Sequence, residues 1–507
     1  MTTTPSPELV HALEHWFDED APVAPSVSFA LFDRAGILLH RSLGEHSLDG
    51  RPPALDTVYR IASMSKSVEA AAVLVLRDRG LLSLEDPVSA HVAEFTDPVG
   101  STVTLRMLLS NRSGLPEDNA WADHVIGMGR EEFLALVARG LAFTERPGEV
   151  YQYSNVGFWL LGIVVENVSG QRFEDFARSE LLEPLGLTAT RYDVSDYADD
   201  GVGAGLAQGF STYDDGATWV RRAFVGSGVG SCAASLFSTL PDIARWSAWL
   251  SSAFDGTVAD PDDDVLSRSS RREMQTGSTP LPSLRERSPE VTIETAAYGL
   301  GLVVEHDARF GPIAHHSGGL PGWSSNMRWH LASGVGVAVF ANANGVKAGP
   351  VAAALLRRAL EDAEAPAREI PLLATTVSAA EAVESAIVAG DLLEAEHLFS
   401  PNLLSDVPAD VRADRLSTAV SAVGGLTERS GWAPLSSRLL WSASAAHVAF
   451  ALPGADGDLE CRIEATPTVP AMIQRLDIAQ REPATGREPV ARHYRPTVTS
   501  GDDAGVE

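Results

Sequence analysis

Apolar positions near the start of the chain fall at Leu9, Leu13, Trp16 and Phe17, one face of a helix over residues 8–18. Two apolar runs follow, near Val27–Phe32 and Ile37–Ser42, and Asp33-Arg34-Ala35-Gly36 between them predicts a hairpin turn. From Ser63 the period becomes helical and runs through Ala70–Arg79 to Gly80. Most of Leu105–Leu187 keeps that period, and Phe158–Val168 is apolar enough to be a buried helix closed by Gly170. A Gly-rich stretch at 226–236 leads into Pro241–Trp246, where Pro and Asp in the first turn mark a helix start. Residues 256–290, rich in Asp, Ser, Pro and Arg, read as a surface excursion. Strands are expected near Tyr298–Glu305, Asn326–Leu331 and Gly336–Ala341, and a helix at Val351–Glu361.

The order is therefore two strands, a helical middle, then more strands and a helix. One antiparallel sheet assembled from both ends of the unit, with an inserted helical lobe, accounts for it. Residues 1–365 are expected to form this unit, with a linker at 366–373 and a small α+β domain at 374–507. In the latter, helices are expected at Ala379–Leu398 and Val411–Val423, and strands at Trp432–Trp441, His447–Leu452, Leu459–Thr466 and Met472–Ala479. The polar tail after Arg481 is expected to fray.

The 507 residues are too many for one small module. A hydrophobic share of 45% with 21% charged residues fits a globular chain and excludes a disordered or fibrous one. With 39 Lys+Arg against 68 Asp+Glu, the net charge of −29 argues against nucleic acid and anionic membrane surfaces as partners. Cys232 and Cys461 cannot build a disulfide framework or a zinc cluster, and each fits a plain buried position. The N-terminus lacks the basic start and apolar run of a signal peptide, and no stretch is long and apolar enough to span a membrane. The expectation is a soluble cytoplasmic protein; export without a cleavable signal stays open, as does the oligomeric state.

Only two lysines occur, Lys66 and Lys347, so almost every basic residue is arginine. Lysine, unlike arginine, gives up its proton when desolvated. Lys66 lies three residues after Ser63 in Ser63-Met64-Ser65-Lys66, on the same helical face. Neutral Lys66 could take the Ser63 proton and make the hydroxyl a nucleophile. The same four residues also suit a helix-capping serine and a solvated lysine. A second element, Tyr153-Ser154-Asn155, follows the turn Arg146–Glu149 and offers a proton-shuttling phenol and an amide; a helix entry capped by Asn155 reads equally well. A third, His316-Ser317-Gly318-Gly319, sits between two strands. Its glycines would let a substrate approach the backbone, whereas the plainer reading is a Gly-rich hairpin with a surface histidine.

Taken together and in this order, Ser-x-x-Lys, Tyr-x-Asn and His-x-Gly resemble the penicillin-recognising serine hydrolases: class C β-lactamases, D,D-peptidases, D-aminopeptidases and esterases of that fold. The resemblance covers roughly residues 8–360 and extends to Asn111-Arg112-Ser113-Gly114-Leu115, Glu183–Leu187, Leu236–Thr239 and Asp242–Trp246. It implies an α+β, β-lactamase-like fold, an antiparallel sheet flanked by helices plus a helical lobe. It implies a Ser63 acyl-enzyme, with Lys66 and Tyr153 as acid and base. Asn155, His316, Ser317, Gly318 and Gly319 would hold the substrate, with the N–H groups of Ser63 and Gly319 as the oxyanion hole. His316 stands where β-lactamases of this kind carry lysine, which favours esters or amides over penicillins. A peptidase or amidase for D-amino-acid peptides, a peptide cyclase of the penicillin-binding type and a non-catalytic binding protein remain alternatives. The partner implied is a small-molecule or peptide substrate. No metal-ligand set, dinucleotide fingerprint or P-loop occurs, so no metal or cofactor is implied.

Overall fold

The computed structural model describes residues 5–20, 23–45, 47, 51–197, 205–255, 263–282, 293–307, 309–363, 365, 369–481 and 495–498. The chain divides into two compact units, Met1–Ala365 and Pro366–Glu507.

In the first unit, helix α1 (Pro7–Asp20) buries Leu9 and Leu13. Strands β1 (Ser26–Asp33) and β2 (Gly36–Gly44) then form the expected hairpin. The Asp33 carboxylate closes its turn by accepting from the N–H groups of Ala35 and Gly36. An eight-stranded antiparallel sheet is completed by β3 (Thr279–Pro280), β4 (Ile293–Tyr298), β5 (Val303–Asp307), β6 (Gly311–Leu320), β7 (Trp323–His330) and β8 (Gly336–Ala341). Its spatial order is β2-β1-β8-β7-β6-β5-β4-β3, so β1 pairs with β8 and the two ends of the unit meet in mid-sheet.

Alternation along these strands sorts two cores. Phe29, Leu31, Ile313, Val337 and Val339 face α1 and the closing helix Ala348–Asp362. Ala30, Phe32, Ala314, Met327, Ala338 and Phe340 face the helical lobe. At the centre of the lobe lie α2 (Ser65–Asp78) and α3 (Asn155–Ser169), packed on each other. Both are buried along most of their length, and α3 ends at Gly170 with φ +72°.

Several expectations change. The run 298–305 is two strands, because the chain turns at Gly299–Leu302. The His316 motif is the last part of strand β6, paired with β7 across a tight hairpin, whereas pairing with β5 ends at His315; its histidine is buried rather than on the surface. Part of 256–290 lies outside the described residues, but Arg268–Met274 is a helix tied into the core. Its Arg271 is fully buried and donates to the Trp249 and Leu266 carbonyls and to Ser252 Oγ. Backbone carbonyls meet its guanidinium donors, which lets a charged side chain sit in the core although the composition of the segment reads as exposed.

In the second unit, α4 (Ala374–Ala389) and α5 (Ala409–Ala422) accompany a four-stranded sheet of Leu439–Trp441, His447–Gly454, Gly457–Ala465 and Ile473–Gln480 in that spatial order. Residues 432–438 are turns and a short helix rather than strand. Within the expected linker, Glu369–Pro371 is a strand, paired in parallel with Arg495–Thr497 of the tail expected to fray.

Candidate active site

Ser63 sits at a sharp turn. The chain leaves a two-residue strand at Tyr59–Arg60, makes a 3₁₀ turn over Ala62–Met64 and enters α2 at Ser65. Ala62 adopts φ +50°, a strained value for a residue with a Cβ. Two serines hold the turn in place. Ser65 Oγ donates to the Ala62 carbonyl at 2.7 Å and accepts from Leu236 N–H. Ser325 Oγ, on β7, donates to the Ile61 carbonyl at 2.8 Å.

β6 crosses directly over this turn, and the crossing explains one glycine. A Cβ on Gly318 would lie 2.1 Å from the Ile61 oxygen and 2.2 Å from Ser325 Oγ, so only glycine fits. Gly319, by contrast, has open space where a Cβ would go, and it lines a cleft beside the Ser63 turn.

Lys66 is completely buried, and its Nζ has three neutral partners: Ser63 Oγ at 3.2 Å, Asn155 Oδ1 at 2.7 Å and the Ala233 carbonyl at 3.3 Å. The rings of Tyr153 and Phe158 flank it at 4.9 and 5.3 Å. The Ala233 carbonyl comes from a short helix, Ser231–Ala234, hidden in the Gly-rich stretch. Ser63, Lys66, Tyr153, Asn155 and His316 thus converge, although they come from three distant segments. Ser317 does not join them: its side chain is on the other sheet face, where Oγ accepts from Asn326 Nδ2 at 2.9 Å.

His316 is buried and its tautomer follows from its partners. Nδ1 lies 2.6 Å from the Ser317 carbonyl, an oxygen that only accepts, so Nδ1 carries the proton. Nε2 then accepts from the Tyr298 hydroxyl at 3.0 Å. Burial, the largest cause, pushes the imidazole down to about 3. His315 points the opposite way, with Nε2 3.3 Å from Glu305 Oε1.

Two supporting residues, Asp118 and Glu69, lacked a motif to reveal them. Asp118 accepts from the backbone N–H of Asn155 (2.8 Å) and Val156 (2.9 Å), from Asn155 Nδ2 (3.0 Å) and from Ser154 Oγ (3.0 Å). Asn155 Nδ2 also donates to Asn119 Oδ1 at 2.8 Å. With both amide hydrogens taken, Asn155 must turn its oxygen towards Lys66. The cap of α3 is Ser154, whose Oγ accepts from Gly157 N–H. Asn111, at φ +52°, accepts from Ser154 N–H through Oδ1 and from Gln152 N–H through its carbonyl, which places Tyr153. Glu69, one turn beyond Lys66, is fully buried, and burial lifts its carboxyl well above the usual range. Among the described residues no cluster of His, Cys, Asp and Glu could hold a metal ion, and no helix is long and apolar enough to cross a membrane.

Ser63, the buried Lys66 and Tyr153 lie together between the sheet and its helical lobe. The family model described as Beta-lactamase matches residues 16–361, and the chain belongs to that family. Penicillin-binding protein 4* of Bacillus subtilis (strain 168) is 28% identical over 304 residues, 57% of this chain and 62% of that protein, so the match spans under two thirds of its length. The octameric penicillin-binding protein homologue from Pyrococcus abyssi shares the fold with a TM-score of 0.57 and 18% identity, over 93% of this chain and 99% of its own. The D-amino acid amidase from Ochrobactrum anthropi SV3 does so with a TM-score of 0.53 and 22% identity, over 70% and 99%.

Proposed function

We propose that the chain is a serine hydrolase that cleaves an ester or amide through an acyl-enzyme on Ser63. The observation that carries this reading is the set of partners around Lys66 Nζ. A neutral amine has two N–H groups and one lone pair. Asn155 Oδ1 and the Ala233 carbonyl are pure acceptors and take the two hydrogens. Ser63 Oγ, the third partner at 3.2 Å, accepts from the ammonium form and donates its hydroxyl proton to the lone pair once the amine is neutral.

In the reaction, Ser63 Oγ attacks the substrate carbonyl carbon and its proton passes to Lys66 Nζ. The N–H groups of Ser63 and Gly319 receive the negative charge on the carbonyl oxygen. As the bond to the leaving group breaks, Lys66 and Tyr153 return a proton to the departing nitrogen or oxygen. The Tyr153 hydroxyl has no protein partner among the described residues and is free for this transfer. Water then attacks the acyl carbon, with the same groups as base, and releases the acid and Ser63.

His316 bears on the substrate. As a neutral Nδ1–H tautomer with Nε2 engaged by Tyr298, it offers no fixed positive charge to a penicillin carboxylate. Cleavage of activated esters or amides is therefore expected to exceed β-lactam turnover. The test is mass spectrometry of the protein treated with a fluorophosphonate, a β-lactam and p-nitrophenyl esters, alongside Ser63→Ala and Lys66→Arg. Label on Ser63, lost in Ser63→Ala and reduced on the order of 10³-fold or more in Lys66→Arg, is expected. Lys66→Arg retaining most of its turnover would remove the neutral-lysine mechanism. Efficient nitrocefin hydrolysis with esters untouched would make the chain a β-lactamase instead.

A further inference from the structure

Beside Gly319 lies a cavity of about 350 Å³, with Trp323, Leu320 and Pro321 on one side, Arg222 at one end and Asp123 on its wall. At roughly 30 Å³ per water-sized group it holds on the order of ten non-hydrogen groups, the size of a short acyl chain. Arg222 is built into this position. Its N–H bonds the Gly209 carbonyl at 2.8 Å, and its own carbonyl accepts from Gln208 Nε2 at 2.6 Å. Gly322, at φ +96°, makes room for it, since a Cβ there would come within 3.1 Å of Arg222 Cγ.

The guanidinium is oriented entirely by neutral oxygens. Nε donates to Ser211 Oγ at 2.6 Å and Nη2 to the Tyr213 hydroxyl at 2.9 Å. Ser211 is fully buried and is itself bonded to Asn344 Oδ1, another residue lining the cavity. These bonds orient the fork, and Nη1 has no protein partner among the described residues. No carboxylate among the described residues forms an ion pair with Arg222, in a chain with 29 more acidic than basic side chains. Asp123, which lines the same cavity, forms no ion pair with it, and burial pushes the Asp123 carboxyl up to about 6. A permanent positive charge, oriented by the buried Ser211 hydroxyl and the exposed Tyr213 hydroxyl and without an ion-pair partner among the described residues, thus lines the cavity that includes Gly319.

Resting on the acyl-enzyme reading above, we propose that this cavity is a substrate subsite in which Arg222 binds an anionic oxygen group, so that preferred acyl donors carry a carboxylate at the end of a short apolar spacer. The spacer would lie against Trp323 and Leu320, and the carboxylate would accept from the free edge of the guanidinium. The positive charge that His316 does not provide on one side of Ser63 is thereby supplied on the other.

The experiment compares mono-p-nitrophenyl glutarate with p-nitrophenyl pentanoate, which differ only in the terminal carboxylate, on the full chain and on Arg222→Gln and Arg222→Lys. The glutarate-to-pentanoate ratio of kcat/KM is expected to fall about 10- to 100-fold in Arg222→Gln. Arg222→Lys should restore part of that ratio, and 0.5 M salt should lower it in the native chain and in Arg222→Lys but not in Arg222→Gln. Competitive inhibition by free glutarate should weaken in parallel in Arg222→Gln. An unchanged ratio in Arg222→Gln, or a native preference for pentanoate, overturns the subsite while leaving the hydrolase reading intact. Turnover of neither ester, with no label on Ser63, overturns both.

Discussion

Gly318 makes the sharpest test of how the sheet shapes the nucleophile. In Gly318→Ala the new methyl group must move about 1 Å from the Ile61 carbonyl, from 2.1 Å to an ordinary contact. Neither neighbour can swing aside, because Ile61 O is backbone and Ser325 Oγ is bonded to it at 2.8 Å. Overpacking of this kind costs about 1–3 kcal/mol, and losing the Ser325–Ile61 bond adds about 1 kcal/mol. For a 365-residue unit unfolding with ~2.1 cal/mol/K per residue, ~2–4 kcal/mol lowers Tm by ~3–5 °C. The larger effect falls on chemistry. Ile61 is two residues before Ser63, and a displacement of ~1 Å in a reacting group costs ~10²-fold in rate. Stopped-flow acylation by a fluorophosphonate and a thermal melt measure the two effects. Gly319→Ala is the control for stability, since its Cβ meets nothing within 4 Å, and its Tm should stay at the native value. Native-like acylation in Gly318→Ala, or an equal loss of Tm in Gly319→Ala, would refute the argument that β6 is pressed onto the turn.

Asp118→Ala leaves the N–H groups of Asn155 and Val156 without their acceptor and frees the Asn155 amide to flip. Denaturant titration should show a loss of about 2–4 kcal/mol, and acylation should slow more than in an Asp118→Asn variant, which keeps one acceptor. His316 has a folded pKa of about 3 against ~6.5 unfolded, so the unfolded chain binds the extra proton between these values. Its stabilising contribution is complete above pH ~6.5 and is lost as pH falls towards 3; His316→Gln should flatten that part of the stability curve, measured as denaturant midpoints from pH 7.5 to 4. His316→Lys should raise the rate of β-lactam acylation relative to ester cleavage, read by nitrocefin and p-nitrophenyl ester assays. A chain ending at Ala365 is expected to keep Ser63 labelling, because every group described around Lys66 lies before that point; a folded truncation that takes up no label would assign the second unit a part in the site.

Local patterning alone determined much of this protein. The β1–β2 hairpin, the buried α3 with its left-handed Gly170 and the helix Leu240–Ser252 with Pro241 in its first turn are all legible, because period, turn residues and caps act over a few positions. Ser63, Lys66, Tyr153, Asn155 and His316 were legible as residue types at telling spacings, and the resemblance to a known family put them in one site. Other features exist only once distant segments meet. Nothing local to Gly318 says that it, rather than Gly319, is forced to be glycine; the Ile61 carbonyl decides that from 257 residues away in sequence. Arg271 reads as surface until backbone carbonyls of another helix satisfy it. Ser317 and His316 are neighbours in the chain, yet the pleat sends them to opposite faces of β6. Asp118, Glu69 and Arg222 carry no signature, since one carboxylate or guanidinium among 107 charged side chains acquires meaning only from what surrounds it. Hydrophobic period is a short-range property of the chain, whereas burial, tautomer and charge environment are properties of the assembled fold.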